Sequence, residues 1–316
     1  MNPNRRTFLL GAAASAVAGS AYAQTRPAKR VVFVHGRAQG GRSHDVILTE
    51  WKDALGVGAR AVGRTVPVSV EISLPFYGDR LDSLVAQYNL PVTSDVVARG
   101  DIGTDPYLKF QAEMLAEMAA GAGITDAEVD AEFDGDINER GIQNWGWVLA
   151  LARLLDRKSP DTSSFAIEKF LRDVYIYTSN DIAREQIDAL VRPALTGEPT
   201  IVVAHSLGTV VAYNILRTTG GLNVPLLVTL GSPLAIRAVR RPFEPVRRPE
   251  GIGAWLNGFD PRDVVALNPL NQTNFPVEPA IENLDTLSNQ TSNRHGISGY
   301  LDKPQIVGRV LDALGA

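Results

Sequence analysis

Ser206 stands in the frame Ala204-His205-Ser206-Leu207-Gly208, between the apolar run IVVA and the helix-like run TVVAYNIL. Small residues two before and two after a serine let a chain turn sharply, which leaves the hydroxyl exposed at the end of a strand. The alternative is a serine that only caps the helix after it. A serine hydroxyl is a weak nucleophile near neutral pH. It needs a base, a third group to orient that base, and N–H donors for the oxyanion it would create. The chain has four histidines, His35, His44, His205 and His295, and only His295 follows the serine. Two carboxylates, Asp260 and Asp263, lie in the stretch NGFDPRDVV. Asp260 precedes a proline and could simply cap a turn, Asp263 precedes Val264-Val265, and both are candidates for the orienting acid.

Positioning these groups requires strands that end at one edge. Val31–Val34, a stretch within 66–79, Thr200–Ala204, Pro225–Leu230 and 253–259 are short apolar or β-branched runs that read as strands. Residues 44–57, 182–195 with Asn180 as N-cap, Leu207 to about Arg217, and 304–314 read as helices between them. Alternating strands and helices predict an α/β domain with a mostly parallel sheet flanked by helices. Residues 85–180 break the rhythm and read as a helical insertion or cap. Tyr107, Phe110, Met114, Leu115 and Met118 share a helix face, Thr125 and Glu128 fit a capping box, and Trp145–Leu155 is apolar nearly all round. Trp145, Trp147, Phe165 and Phe170 could line an acyl pocket there, although packing of the cap itself is the plainer role.

The segments VVFVHG (31–36), VVAHSLGTVVAYNIL (202–216), LGSPL (230–234), WLNGFDPRDVVAL (255–267) and RHGISGYL (294–301) together resemble the α/β-hydrolase superfamily, in particular bacterial lipase- or esterase-like serine hydrolases. That resemblance implies the α/β-hydrolase fold and an acyl-enzyme on Ser206. It implies the order serine, acid, histidine, and hence Ser206, Asp263 and His295 as the catalytic set. Asp263-Val264-Val265 is similar to the Asp-x-Val segment of many lipases. The backbone N–H groups of Leu207 and Arg37 would form the oxyanion hole, with His35 packed beneath the loop that carries Arg37. Ala204 departs from the family's usual glycine at that position. The substrate expected is a small-molecule or lipid ester. A thioesterase, amidase or acyltransferase would use the same residues, and a catalytically inactive fold serving as a binding module is the alternative from another class.

Composition narrows the rest. The chain has 316 residues, 45% of them hydrophobic, and a formal net charge of −4, so no basic nucleic-acid footprint is expected. It has no cysteine. Disulfides, thiolate metal sites and a thiol nucleophile are therefore excluded. No dinucleotide or phosphate-binding glycine motif is present, and no cofactor or metal is expected. The acidic stretch 130–141 resembles a calcium loop but ends in Gly141 where that loop needs a glutamate. Residues 1–23 carry Arg5-Arg6, a weakly apolar Ala/Gly-rich run and Ala21-Tyr22-Ala23, and resemble a twin-arginine export leader cleaved before Gln24. The expected product is residues 24–316, periplasmic or secreted, with no remaining membrane span. The arginine-rich run 237–251 is read as a solvated surface or, less plainly, as a contact for an anionic substrate.

Overall fold

The computed structural model describes residues 27–36, 41–90, 105–133, 141–158, 164–291 and 293–316, with backbone alone at 164–166. The leader over 1–23, Arg37, the Phe165 side chain and most of the 130–141 stretch lie outside the described residues.

Among the described residues six strands form one sheet in the order β2-β1-β3-β4-β5-β6, every pairing parallel: β1 (Arg30–Val34), β2 (Glu71–Ser73), β3 (Thr200–His205), β4 (Val224–Leu230), β5 (Ile252–Gly258) and β6 (Glu282–Leu284). Parallel sheets need both faces covered, and the strand sequences supply that. Successive side chains alternate between faces. Val31 and Phe33 of β1, with Ile201 and Val203 of β3, pack against α1 (His44–Ala61), α10 (Ser298–Leu301) and α11 (Pro304–Leu314). Val32 and Val34, with Val202 and Ala204, face the other core, built on α2 (Gly78–Tyr88), α7 (Asp181–Val191) and α8 (Leu207–Thr218). The protein is thus an α/β layered fold with a parallel sheet flanked by helices.

The predicted cap is helical where it is described: α3 (Pro106–Gly121), α4 (Asp126–Glu132), α5 (Trp145–Lys158) and α6 (Ser164–Ser179). Its apolar face continues the second core, with Tyr107, Phe110, Met114, Leu115 and Met118 all buried. The Thr125 capping box closes in both directions, its hydroxyl accepting from Glu128 N–H at 3.3 Å and Glu128 accepting from Thr125 N–H at 2.7 Å. Asn180 caps α7 through Ala183 N–H at 2.8 Å.

Two expectations need correction. Only Glu71–Ser73 of the 66–79 stretch is strand. It is an edge strand between Pro67 and Pro75, and a proline has no N–H to give a ladder. Glycine 78 then begins α2, which runs past the predicted start of the insertion at 85. The other edge, β6, was not foreseen, because Glu282-Asn283-Leu284 has no apolar run to mark it. The arginine-rich run is surface as expected, with Arg237, Arg241 and Arg247 exposed, and it also binds within the molecule: Arg241 pairs with Glu113 of α3 at 2.7 Å, Arg240 with Glu244 at 3.2 Å, and Arg248 donates to the Pro279 and Gly253 carbonyls. Short helix α9 (Arg237–Arg240) lies in that run.

Candidate active site

Ser206 does not cap α8. A capping serine has extended backbone and accepts an N–H of the first turn. Ser206 instead has φ 55° and ψ −131°, and its side chain makes no capping bond. That backbone costs a non-glycine residue about 1–3 kcal/mol and persists only where neighbours enforce it. Here they do. Ser206 N–H donates to Leu230 O of β4 at 3.0 Å, and Ser206 O accepts from Thr209 N–H at 2.9 Å and from Thr209 Oγ1 at 2.7 Å. Gly208 lies so close to β1 that a Cβ there would fall 2.2 Å from Val34 O. The small residue after the serine is therefore a packing requirement. Ala204, in place of a glycine, is fully buried in the core with its methyl accommodated.

The three residues singled out from the sequence meet at the carboxyl edge of the sheet. Ser206 Oγ lies 2.7 Å from His295 Nε2, and His295 Nδ1 lies 2.7 Å from Asp263 Oδ2. A carboxylate can only accept, so Nδ1 carries the proton and Nε2 faces the serine as an acceptor. The serine hydroxyl then donates to the imidazole. Asp263 is held by Val265 N–H on Oδ1 at 3.0 Å and by Tyr300 Oη on Oδ2 at 2.7 Å. The rival carboxylate is otherwise engaged. Asp260 accepts from Arg262 N–H, Nε and Nη2 at 2.8–3.0 Å and from Asn289 N–H at 2.8 Å. Burial would raise the Asp260 pKa, but Arg262 and these amides outweigh it and hold the carboxyl below its usual range.

The loop carrying His295 is fixed by amides. Asn293 Oδ1 accepts His295 N–H at 3.1 Å, Asn289 Nδ2 donates to Gly296 O at 2.8 Å, and His205 Nε2 donates to His295 O at 2.7 Å. Gly231, at φ +56°, ends β4 beneath the pair. A Cβ there would lie 3.1 Å from His295 Cε1 and 3.3 Å from Asp263 Oδ2. The roles of Tyr300, Asn289 and Gly231 were not found from the sequence. Nothing in the SGYL run marks a phenol as an aspartate partner, Asn289 stands in no motif, and Gly231 lies in the LGSPL segment without any sign there that it underlies the His295–Asp263 pair.

Of the two oxyanion donors expected, Leu207 N–H follows Ser206 at the start of α8, where the helix dipole favours negative charge. Arg37 lies outside the described residues. The residue before it, Gly36, abuts the serine: a Cβ at Gly36 would fall 2.8 Å from Ser206 Cβ. His35 is structural. Its Nε2 accepts Tyr77 N–H at 3.1 Å, its Nδ1 donates to Gly36 O at 2.7 Å, its ring stacks on Tyr77, and Tyr77 Oη donates to His35 O. Burial lowers its pKa from 6.5 to about 4. Between those values the unfolded chain takes a proton that the folded one refuses, so stability falls as pH falls through that window, by about 3 kcal/mol in all. In urea unfolding at pH 7 and pH 5, the wild type is expected to lose about 2 kcal/mol more than His35→Gln. Equal losses would mean that His35 is not buried neutral.

A cleft of about 240 Å³ opens beside the serine, lined by Gly36, Arg42, Glu50, Ser206, Asn293 and His295 among others. Arg42 and Glu50 pair across it at 2.8 Å. Ser206 itself is 1% exposed. From the cap, Phe170 of α6 stands edge-on to His295, ring centroids 6.3 Å apart. Trp145 and Trp147 are buried in the cap core, Trp147 against Phe133. Among the described residues no helix is long and apolar enough to cross a membrane. No protein-family model matches the chain, and no curated protein matches it.

Proposed function

We propose that the protein is an α/β-hydrolase-like serine hydrolase that cleaves short-chain carboxylic esters through an acyl-enzyme on Ser206. The observation that carries this reading is the unbroken relay from Ser206 Oγ to His295 to Asp263, both contacts 2.7 Å, on a serine whose backbone has no capping role. Ser206 Oγ attacks the ester carbonyl while His295 Nε2 takes its proton. Leu207 N–H holds the oxyanion, with Arg37 N–H the second donor that the resemblance implies. His295 returns the proton to the departing alkoxide. A water, activated by the same imidazole, then releases the acid and restores the serine. Asp263 keeps the imidazole in the required tautomer and steadies its charge. The intact relay speaks against an inactive binding module, which has no need to keep three groups in register.

The size of the cleft supports a short acyl chain. Its volume of about 240 Å³ is below the roughly 300–1,000 Å³ that encloses a drug-sized ligand, and the Arg42–Glu50 pair leaves only Trp51 and Ile297 as sizeable apolar groups in its wall. Residues 1–23, read as a twin-arginine leader, would carry the folded enzyme out of the cytoplasm. The test is hydrolysis of p-nitrophenyl acetate, butyrate and palmitate by the exported form, whose N-terminus is expected at Gln24. kcat/KM for the butyrate is expected to exceed that for the palmitate by about tenfold or more. A preference for palmitate would overturn the short-chain reading, and no turnover of any ester would overturn esterase activity.

A further inference from the structure

We infer that Tyr300 is a positioning residue of this site, its hydroxyl holding Asp263 Oδ2 in line with His295 and setting how strongly that carboxylate backs the imidazole. The inference rests on the serine-hydrolase reading. Tyr300 is fully buried. Its Oη accepts Asp260 N–H at 3.1 Å, which directs the phenol proton the other way, onto Asp263 Oδ2 at 2.7 Å. Burial, and then the charge of Asp263, push the phenol pKa well above 10, so the proton stays on it. Oδ2 therefore accepts two donors at once, Tyr300 Oη and His295 Nδ1, while Val265 N–H holds Oδ1. Three donors leave the carboxylate no freedom to rotate away from the imidazole.

The second consequence is electrostatic. A donor on Oδ2 draws off negative charge that would otherwise stabilise a protonated His295. Removing it strengthens the carboxylate's hold on the imidazolium and moves the acid limb of the rate profile up. The other titratable and charged groups near His295 are substituted in neither variant, and among them only the Asp260 loop loses a contact, its N–H giving up Tyr300 Oη in Tyr300→Phe. They are His205 and Ser206 at the end of β3, the Asp260–Arg262 pair after β5, Arg294 beside it in the chain, and the Arg42–Glu50 pair of the cleft. Helix α6 brings the ring of Phe170 edge-on to His295.

The experiment compares the exported wild-type protein, Tyr300→Phe, and a variant with 3-fluorotyrosine at 300, which keeps the hydroxyl but makes it a stronger donor. Each is labelled with a fluorophosphonate, and kcat and kcat/KM for p-nitrophenyl butyrate are followed from pH 5 to 9. In Tyr300→Phe labelling is expected to persist, kcat to fall about tenfold with KM little changed, and the acid limb to move up by about half a pH unit. In the fluorotyrosine protein the limb is expected to move down. A limb unmoved in both variants overturns the proposal while the serine-hydrolase reading stands, because a merely structural tyrosine would alter yield or melting temperature and not the profile. Should Tyr300→Phe fail to fold, the fluorotyrosine limb decides alone: downward supports, unmoved overturns. Absence of labelling in the wild type defeats the serine-hydrolase reading itself, and the proposal with it.

Discussion

Ser206→Ala is expected to lower kcat/KM for a short ester by about 10⁴- to 10⁶-fold while leaving the melting temperature nearly unchanged. At about 1.4 kcal/mol per decade, that is about 5–8 kcal/mol of transition-state stabilisation. The fold should tolerate the change because the hydroxyl does not cap α8 and the turn is held by backbone contacts to Leu230 and Thr209, which alanine keeps. His295→Ala should cost a similar factor. The double variant should be scarcely slower than either single one, since serine and base act as one unit. Steady-state rates and fluorophosphonate labelling of the four proteins check this. Labelling that survives in Ser206→Ala would place the reactive group elsewhere.

The two aspartates separate next. Asp263→Asn is expected to lower kcat by about 10⁴-fold. The reason lies in its three donors. Val265 N–H points at one oxygen, and Tyr300 Oη and His295 Nδ1 at the other. An amide offers one oxygen. If that oxygen takes Val265, its NH₂ group meets His295, which must then turn Nδ1 into an acceptor and put the proton on Nε2. In that tautomer His295 cannot take the serine proton. Asp260→Asn should leave kcat within about tenfold but cost about 2 kcal/mol of stability, because a fully buried carboxylate bonded to Arg262 and Asn289 is lost. kcat and urea unfolding of both variants decide the matter. The reverse pattern would make Asp260 the orienting acid.

Much of this site was legible because its chemistry is rare and its supports are periodic. The run before Ser206 read as a buried strand, the run after it as a helix, and His295 was the sole histidine downstream. The choice between Asp260 and Asp263 was open for a physical reason. Two like carboxylates three residues apart differ only in which way their loop turns them, and that turn is set by Tyr300 and Asn289, residues distant from them in sequence. The edge strands failed differently. Strand β2 is cut short by prolines, and β6 is too short and polar to carry a pattern of its own. Gly231 and Gly36 stand in recognisable segments, but why each must be glycine shows only once the atoms that would strike its missing Cβ are known.

The pairing of β1 with β3 also bears on how the molecule comes into being. Arg30 lies opposite Thr200, so the first strand finds its central neighbour only after the whole cap has been made and looped aside. Closing a loop that long is entropically costly before any contact rewards it, and parallel sheets of such distant strands form slowly. The serine turn is bent into its uncomfortable backbone by Leu230 on one side and β1 on the other, so it takes shape only when β3 has been docked between both neighbours. A newly made chain would thus acquire its reactive hydroxyl as a late event of folding, and the appearance of ester turnover during refolding would serve as a clock for the completed sheet.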